Sequence, residues 1–362
     1  MYALEPRTPN MPDLVVCFKE TPVEERLIDR LHRAWPEVRI RNVGQKDIAA
    51  ALLDADFFCG HAKVPVDWDA IVQKGRLRWI QSSAAGMDWC LVPSVIESDI
   101  AISTASGVLA DQVAEHTMAL ILSWMRNLPT FWREQLDDRT ADYRKFLRRP
   151  TCDLTGKTVG IVGLGGVGRR LSQVLAPFRT RILATDLFPV RKPPHVAELW
   201  CPERLDDLLG ESDVVILCLP LNAQTRGMFD AGRLKKIRPE TLFVNVARGA
   251  LVDTDALVAA LKNKEIAGAV VDVTSPEPLP TNHPLWNFPN VVITPHVGGQ
   301  CRFRFDDVVD IFTANICRWR ESRPLINFLT LEGKHLGFPL RSADYPLWID
   351  ERDHLAGTPI SF

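Results

Sequence analysis

Apolar residues fall into two kinds of run along this chain. Short, uninterrupted β-type runs read as strands buried on both faces, and they alternate with longer stretches whose apolar positions recur at helical spacing. That alternation is the pattern of a parallel sheet covered by helices. The first set of strand candidates is LVVCF (14–18), DFFC (56–59), LRWIQ (77–81) and AIS (101–103), with helical stretches over 23–34 and 47–54. A second, stronger set comprises TVGIV (158–162), RILAT (181–185), VVILCL (214–219), LFVNV (242–246), AGAVVDV (267–273) and VVIT (291–294). This second set is enough for a complete doubly wound nucleotide-binding sheet. Between the sets, DQVAEHTMALILSWMRN (111–127) predicts one long helix behind an Asp111 cap. The stretch 303–320 predicts a last helix that returns to the first domain once the second set has used all its strands.

Length and charge narrow the classes. The chain has 362 residues, 46% hydrophobic and 24% charged, enough for two domains of roughly 100 to 200 residues each. With 43 Lys+Arg against 45 Asp+Glu the net charge is -2, so no global basic field exists to hold nucleic acid or an anionic membrane. The eight cysteines include no C-x-x-C pair and no cluster at metal spacing, which predicts no metal and a reducing compartment. Cys17 and Cys218 sit inside apolar runs, where a thiol acts as a small hydrophobe. The N-terminal MYALEPRTPNMP has no apolar core, and no run approaches the ~20 apolar residues of a membrane span. The expected location is the cytoplasm.

The sharpest motif is TVGIVGLGGVGRRL (158–171), an apolar strand running into Gly163-x-Gly165-x-x-Gly168 and then a helical pattern. Gly163 permits the tight turn, Gly165 admits a pyrophosphate to the backbone, and Gly168 allows close helix–strand packing. At the end of the next strand stands Asp186, placed to accept from adenosine ribose hydroxyls and to repel a 2′-phosphate. NAD is therefore the expected cofactor, with Arg191 and Lys192 close enough to soften the preference. Three further segments each follow a strand: FVNVARGALVDTDAL (243–257) with Arg248, VVDVTSPEPLPTNHPLW (270–286) with Glu277, and VVITPHVGG (291–299) with His296. All three side chains emerge at the edge that carries the glycine loop, where open α/β sheets bind ligands.

With these pieces in order (GLGGVG, CLPLNAQTRGMF, NVARGALVD, DVTSPEPLP, ITPHVGG), the sequence resembles the D-isomer-specific 2-hydroxyacid dehydrogenases, over nearly its whole length to about residue 325. The resemblance implies catalytic Arg248, Glu277 and His296. It implies cofactor contacts from Gly163, Leu164, Gly165, Gly166, Val167, Gly168, Asp186, Leu219, Pro220, Ala247, Asp272 and Gly298. The turn SSAAGMD (82–88) matches the family's substrate-carboxylate loop, so backbone N–H groups around Ala85 and Gly86 should hold that carboxylate together with Arg248. The chemistry agrees: reducing a 2-oxo acid delivers a hydride to the carbonyl carbon and a proton to its oxygen, work suited to an imidazole. Glu277 on the other ring nitrogen would orient the ring and keep a proton available, and the Arg248 fork would grip the carboxylate while polarising the carbonyl. Formate dehydrogenases of similar fold lack the glutamate, which disfavours that branch.

The implied fold is α/β with two domains: a Rossmann-type doubly wound parallel sheet binding the nucleotide, and a smaller flavodoxin-like substrate domain, with the active site in the cleft. The expected limits are 1–105 for the first part of the substrate domain, 106–299 for the NAD domain, 300–330 for the returning helix and 331–362 for a C-terminal extension. Expected partners are a small 2-oxo or D-2-hydroxy acid of glyoxylate or hydroxypyruvate type and a second copy in a homodimer. The alternative is an NAD(H)-sensing corepressor-like protein of the same fold. Departures from the family include Trp89 and Cys90 beside the substrate loop, and the segment 128–150, where Phe131, Trp132 and Tyr143 fit substrate, dimer or core roles. His116 reads as a packing or interface residue rather than a second acid. Phe338, Tyr345, Trp348 and Phe362 in the extension predict an irregular path packed on its own domain or on the partner subunit.

Overall fold

Each apolar run read as a strand forms one, in a computed structural model that describes residues 11–137, 151–188, 192–302, 304–340 and 346–348. Arg191, Tyr143, Tyr345 and Phe362 lie outside the described residues. The strands are β1 (Asp13–Cys17), β2 (Arg39–Asn42), β3 (Phe57–Gly60), β4 (Trp79–Ser82), β5 (Ala101–Ser103), β6 (Thr158–Val162), β7 (Arg181–Thr185), β8 (Glu198–Trp200), β9 (Val214–Leu217), β10 (Leu242–Asn245), β11 (Gly268–Val271) and β12 (Val291–Ile293). They make two sheets, β2-β1-β3-β4-β5 and β12-β11-β10-β9-β6-β7-β8, in which every pairing is parallel. The chain divides into two compact units, residues 1–109 with 301–362, and residues 110–300. Sequence alone placed the crossings at 105/106 and 299/300. Ala105 and Val108 are buried in the core of the first unit, so the chain leaves it only where the helix Ala110–Met125 begins.

In the first unit the sheet has flavodoxin-like order. Leu14 and Val16 face a core shared with the helices Glu25–Ala34 and Arg304–Arg320, while Val15 and Cys17 face a second core under Ile48, Leu52, Trp68 and Ile71. Burial on both faces is why β1 reads as a continuous apolar run. The helix Arg304–Arg320 is tied to this sheet by a buried polar chain: Asn315 Nδ2 donates to Gln81 Oε1 (2.9 Å), Ser103 Oγ donates to the same oxygen (2.7 Å), and Trp79 Nε1 donates to Ser103 Oγ (2.9 Å). Trp319 stacks on Trp79 at 5.2 Å.

The described part of the C-terminal extension belongs to this unit. Trp348 is 7% exposed within its core, its N–H donates to Asn327 Oδ1 (3.0 Å), and the Asn327 N–H donates to the Pro346 carbonyl (2.9 Å). Trp348→Ala is expected to cost ~3–5 kcal/mol, the scale for deleting a buried large aromatic side chain. Denaturant unfolding of the variant checks it, and a loss below about 1 kcal/mol would make the extension peripheral.

In the second unit the order β8-β7-β6-β9-β10-β11 is that of a dinucleotide-binding sheet, with β12 as a seventh strand. Helices Ala110–Met125 and Gly166–Leu175 cover one face through Ala114, Ile121, Leu171 and Leu175. Leu205, Leu208, Leu257 and Leu261 cover the other. Asp111 lies inside the first helical turn rather than at the cap, where its charge suits the helix N-terminus and pairs with Arg170 at 2.5 Å. The helix Leu128–Asp137 leaves Trp132 56% exposed. Burial pushes the Cys17 thiol up to about 11 and the Cys218 thiol to about 12, so neither is a nucleophile at neutral pH.

Candidate active site

The glycine loop leaves β6 at the point where the strand order reverses, between β6 and β9. Gly163 takes φ +94°, and a Cβ there would lie 2.9 Å from the Leu219 nitrogen. A Cβ on Gly168 would sit 2.3 Å from the Gly163 carbonyl oxygen, so the helix Gly166–Leu175 packs directly on the loop. Gly165, at the helix N-cap, differs: a Cβ there meets nothing within 4 Å, and the N-cap residue has no side chain to cap the helix. An open face of backbone beside the N–H groups at a ten-residue helix's start can cradle a diphosphate. The residues present therefore fit a dinucleotide. Asp186, at the end of β7, accepts from the Leu164 N–H (2.7 Å) and the Phe188 N–H (3.0 Å), which fixes its carboxylate beside the loop. Leu219 and Pro220, after β9, are half-buried, as is Ala247 after β10.

Arg248 follows β10 in a turn shaped from below. The buried Asn245 side chain donates to the Arg248 carbonyl (3.0 Å) and accepts from the Ala247 N–H (3.1 Å). One guanidinium nitrogen donates to the Ala247 carbonyl at 2.7 Å. Gly249 then brings this turn against the segment leaving β11, since a Cβ at Gly249 would fall 1.9 Å from the Thr274 carbonyl oxygen. Thr254 Oγ1 donates to the Ser275 carbonyl (2.6 Å) and Thr274 Oγ1 to that of Pro276 (2.8 Å). The loop so held presents Glu277. Trp286 braces it further on, donating from its indole nitrogen to the Pro280 carbonyl (2.9 Å).

His296 follows β12 and meets Glu277: Nδ1 lies 2.6 Å from Glu277 Oε1. Both side chains are about half exposed, at 44% and 43%, so the pair is reachable from solvent. The histidine backbone is left-handed, φ +55°, and its N–H donates to the Asp272 carbonyl (2.7 Å). Asp272, 3% exposed at the end of β11, turns its carboxylate onto the same turn, accepting from Val297 N–H (3.0 Å), Gly298 N–H (2.8 Å) and Thr294 Oγ1 (2.6 Å). Thr294, Val297 and Gly298 thus tie the Asp272 carboxylate to the turn that carries His296. Arg248, Glu277 and His296 all leave strands of one parallel sheet at the edge that carries the glycine loop.

The loop assigned to the substrate carboxylate belongs to the first unit, after β4. Ser82 shapes it by donating to the Ala84 carbonyl (2.9 Å) and accepting from the Ala84 N–H (3.0 Å). Met87 is buried, while Ala85 is exposed and Gly86 partly so. Trp89, an unusual residue here, packs against Trp68 at 5.6 Å and His61 at 4.9 Å. Asn245, Gly249 and Thr294 escaped the sequence reading. The available signal for Asn245 was a polar residue closing an otherwise apolar buried strand. Among the described residues no group of three or more His, Cys, Asp or Glu side chains is placed to hold a metal.

Residues 118–298 match the model of the D-isomer-specific 2-hydroxyacid dehydrogenase NAD-binding domain. A glyoxylate reductase of Thermofilum pendens is 36% identical over 273 residues, covering 73% of this chain and 76% of that protein. The human glyoxylate reductase/hydroxypyruvate reductase is 33% identical over 242 residues, 66% of this chain and 73% of that one. Among solved structures, an NADPH-dependent glyoxylate/hydroxypyruvate reductase of Sinorhizobium meliloti, in complex with NADP and malonate, superposes with a TM-score of 0.72 at 25% identity, covering 92% of this chain and 100% of that one.

Proposed function

The chain belongs to the D-isomer-specific 2-hydroxyacid dehydrogenase family, and from that premise we propose that it reduces a small 2-oxo acid of glyoxylate or hydroxypyruvate type with NADH, through His296, Glu277 and Arg248. That it is a nicotinamide-dependent 2-oxo acid reductase, reversibly a 2-hydroxyacid dehydrogenase, follows from its relatives. These favour the enzyme over the dinucleotide-sensing corepressor. The observation that carries the residue roles is the 2.6 Å contact between His296 Nδ1 and Glu277 Oε1, on the sheet edge that bears the glycine loop.

With Nδ1 held by the carboxylate, His296 presents Nε2 to the substrate. There it gives a proton to the carbonyl oxygen in reduction and takes it back in oxidation. Glu277 fixes the ring plane and stabilises the imidazolium. One Arg248 nitrogen is turned to the Ala247 carbonyl, and the guanidinium edge grips the substrate carboxylate and draws charge from the carbonyl. Gly163, Gly165 and the first turn of the helix Gly166–Leu175 hold the cofactor diphosphate, and Asp186 faces its adenosine ribose. The cofactor, when bound, supplies the hydride that reaches the carbonyl carbon. NADH oxidation followed over a panel of 2-oxo acids tests the function: turnover of glyoxylate or hydroxypyruvate is expected, and no turnover of any 2-oxo acid overturns the reading.

Cofactor choice is separately testable. Asp186 repels a 2′-phosphate, so wild type should prefer NADH, and Asp186→Ala should shift the ratio of kcat/KM values toward NADPH. The carboxylate also holds the Leu164 N–H, so the variant should lose some affinity for both cofactors. A wild type preferring NADPH would give the adenosine pocket to Lys192, Arg169 or Arg191. The proposal extends to a homodimer, as the resemblance implies, and to the cytoplasm, as the cysteine pattern implies. Light scattering should then give a mass of about twice 40.7 kDa.

A further inference from the structure

His116 projects from the helix Ala110–Met125 onto the turn that carries His296. Its Nε2 lies 3.1 Å from Thr294 Oγ1 and 3.3 Å from Asp272 Oδ1. Contact with the turn is direct: a Cβ on Gly298 would sit 3.2 Å from His116 Cδ2 and 2.9 Å from Asp272 Oδ2. The protons available to this cluster assign the tautomer. Thr294 has one hydroxyl proton, and the 2.6 Å separation from Asp272 Oδ1 needs a proton between the two oxygens. Thr294 therefore donates to the carboxylate, its lone pairs face His116, and Nε2 is the protonated nitrogen that donates to the pair.

The turn has reason to need such support. A non-glycine residue in the left-handed region holds a conformation that L side chains disfavour, and such a conformation persists only where its surroundings over-determine it. Asp272 supplies that surrounding from the end of β11, through Val297, Gly298 and the His296 N–H. His116 supplies it from a separate helix. Its Nε2 meets Thr294 and Asp272, so its effect on the chemistry passes through them.

We propose that His116 is a positioning residue: by donating from Nε2 to the Thr294–Asp272 pair it holds the 294–298 turn in the shape that keeps His296 on Glu277. The inference rests on His296 being the acid–base group. It is tested on the full chain with His116→Leu and His116→Gln, measuring kcat and KM for the reactive 2-oxo acid, the NADH dissociation constant and the thermal midpoint. His116→Leu should lower kcat roughly 10- to 10²-fold, the scale of a misplaced catalytic group, with the NADH dissociation constant changed by less than about threefold. His116→Gln, whose amide N–H reaches the same point, should return kcat to within about threefold of wild type. Should the leucine variant not fold, His116→Asn, whose amide falls short of the pair, takes its place with the same expectations. Wild-type kcat in the leucine variant, or equal losses of kcat and thermal midpoint in the leucine and glutamine variants, overturns the proposal. His296→Ala separates the two levels: if it is inactive while His116→Leu is normal, only the positioning role falls, whereas an active His296→Ala removes the acid–base reading itself.

Discussion

His296→Ala is expected to lower kcat ~10²–10⁴-fold while leaving NADH affinity nearly unchanged. The hydride step generates charge on the substrate oxygen, and without a proton donor that charge must be met by water or by Arg248 alone. The dinucleotide cradle lies after β6 and helps neither oxygen nor proton, so its affinity should not follow the loss. Steady-state kinetics with a reactive 2-oxo acid, paired with a fluorescence titration of NADH, reads both quantities. Undiminished kcat would sink the acid–base assignment. Glu277→Gln should retain more activity than the alanine variant, because an amide can still hold Nδ1 while losing the charge that stabilises imidazolium.

The second large effect is expected at Arg248. Arg248→Lys preserves one positive charge yet removes the planar fork, so a carboxylate can no longer be held by two parallel N–H bonds while the carbonyl is polarised. A loss of kcat/KM on the order of 10²-fold or more is expected, with KM for the 2-oxo acid raised, since the proposed role has the arginine act on the bound substrate and on developing charge alike. The turn itself should survive: Asn245 holds it through the main chain of Ala247 and Arg248, and Gly249 keeps its approach to Thr274. A lysine variant with near-normal kinetics would place the carboxylate elsewhere.

Strand positions were legible where burial is two-sided. Leu14 to Cys17 in β1 and Val214 to Leu217 in β9 are fully enclosed by helices on both faces, so the chain must be apolar at each position and the run announces itself. The strands RIRN (β2) and ELW (β8) were missed for the converse reason. Both stand at sheet edges, exposed or half-buried, and their charged residues break the apolar run, as edge strands tolerate.

Sequence by itself determined the class of chemistry here. The order of strands and helices, the glycine loop and the positions of Arg248, Glu277 and His296 just beyond strand ends are local features, each written in a short window because parallel strands all deliver their C-terminal ends to one edge. What only the tertiary structure decided is how those side chains are held: the approach of Gly249 to Thr274, the Asn245 brace under Arg248, the left-handed turn at His296 and the His116–Thr294–Asp272 contact. These join residues from separate strands and helices. Their hydrogen bonds depend on distances that no window of sequence contains, which is why His116 reads as ordinary packing along the chain and as a donor to a buried carboxylate once the chain is folded.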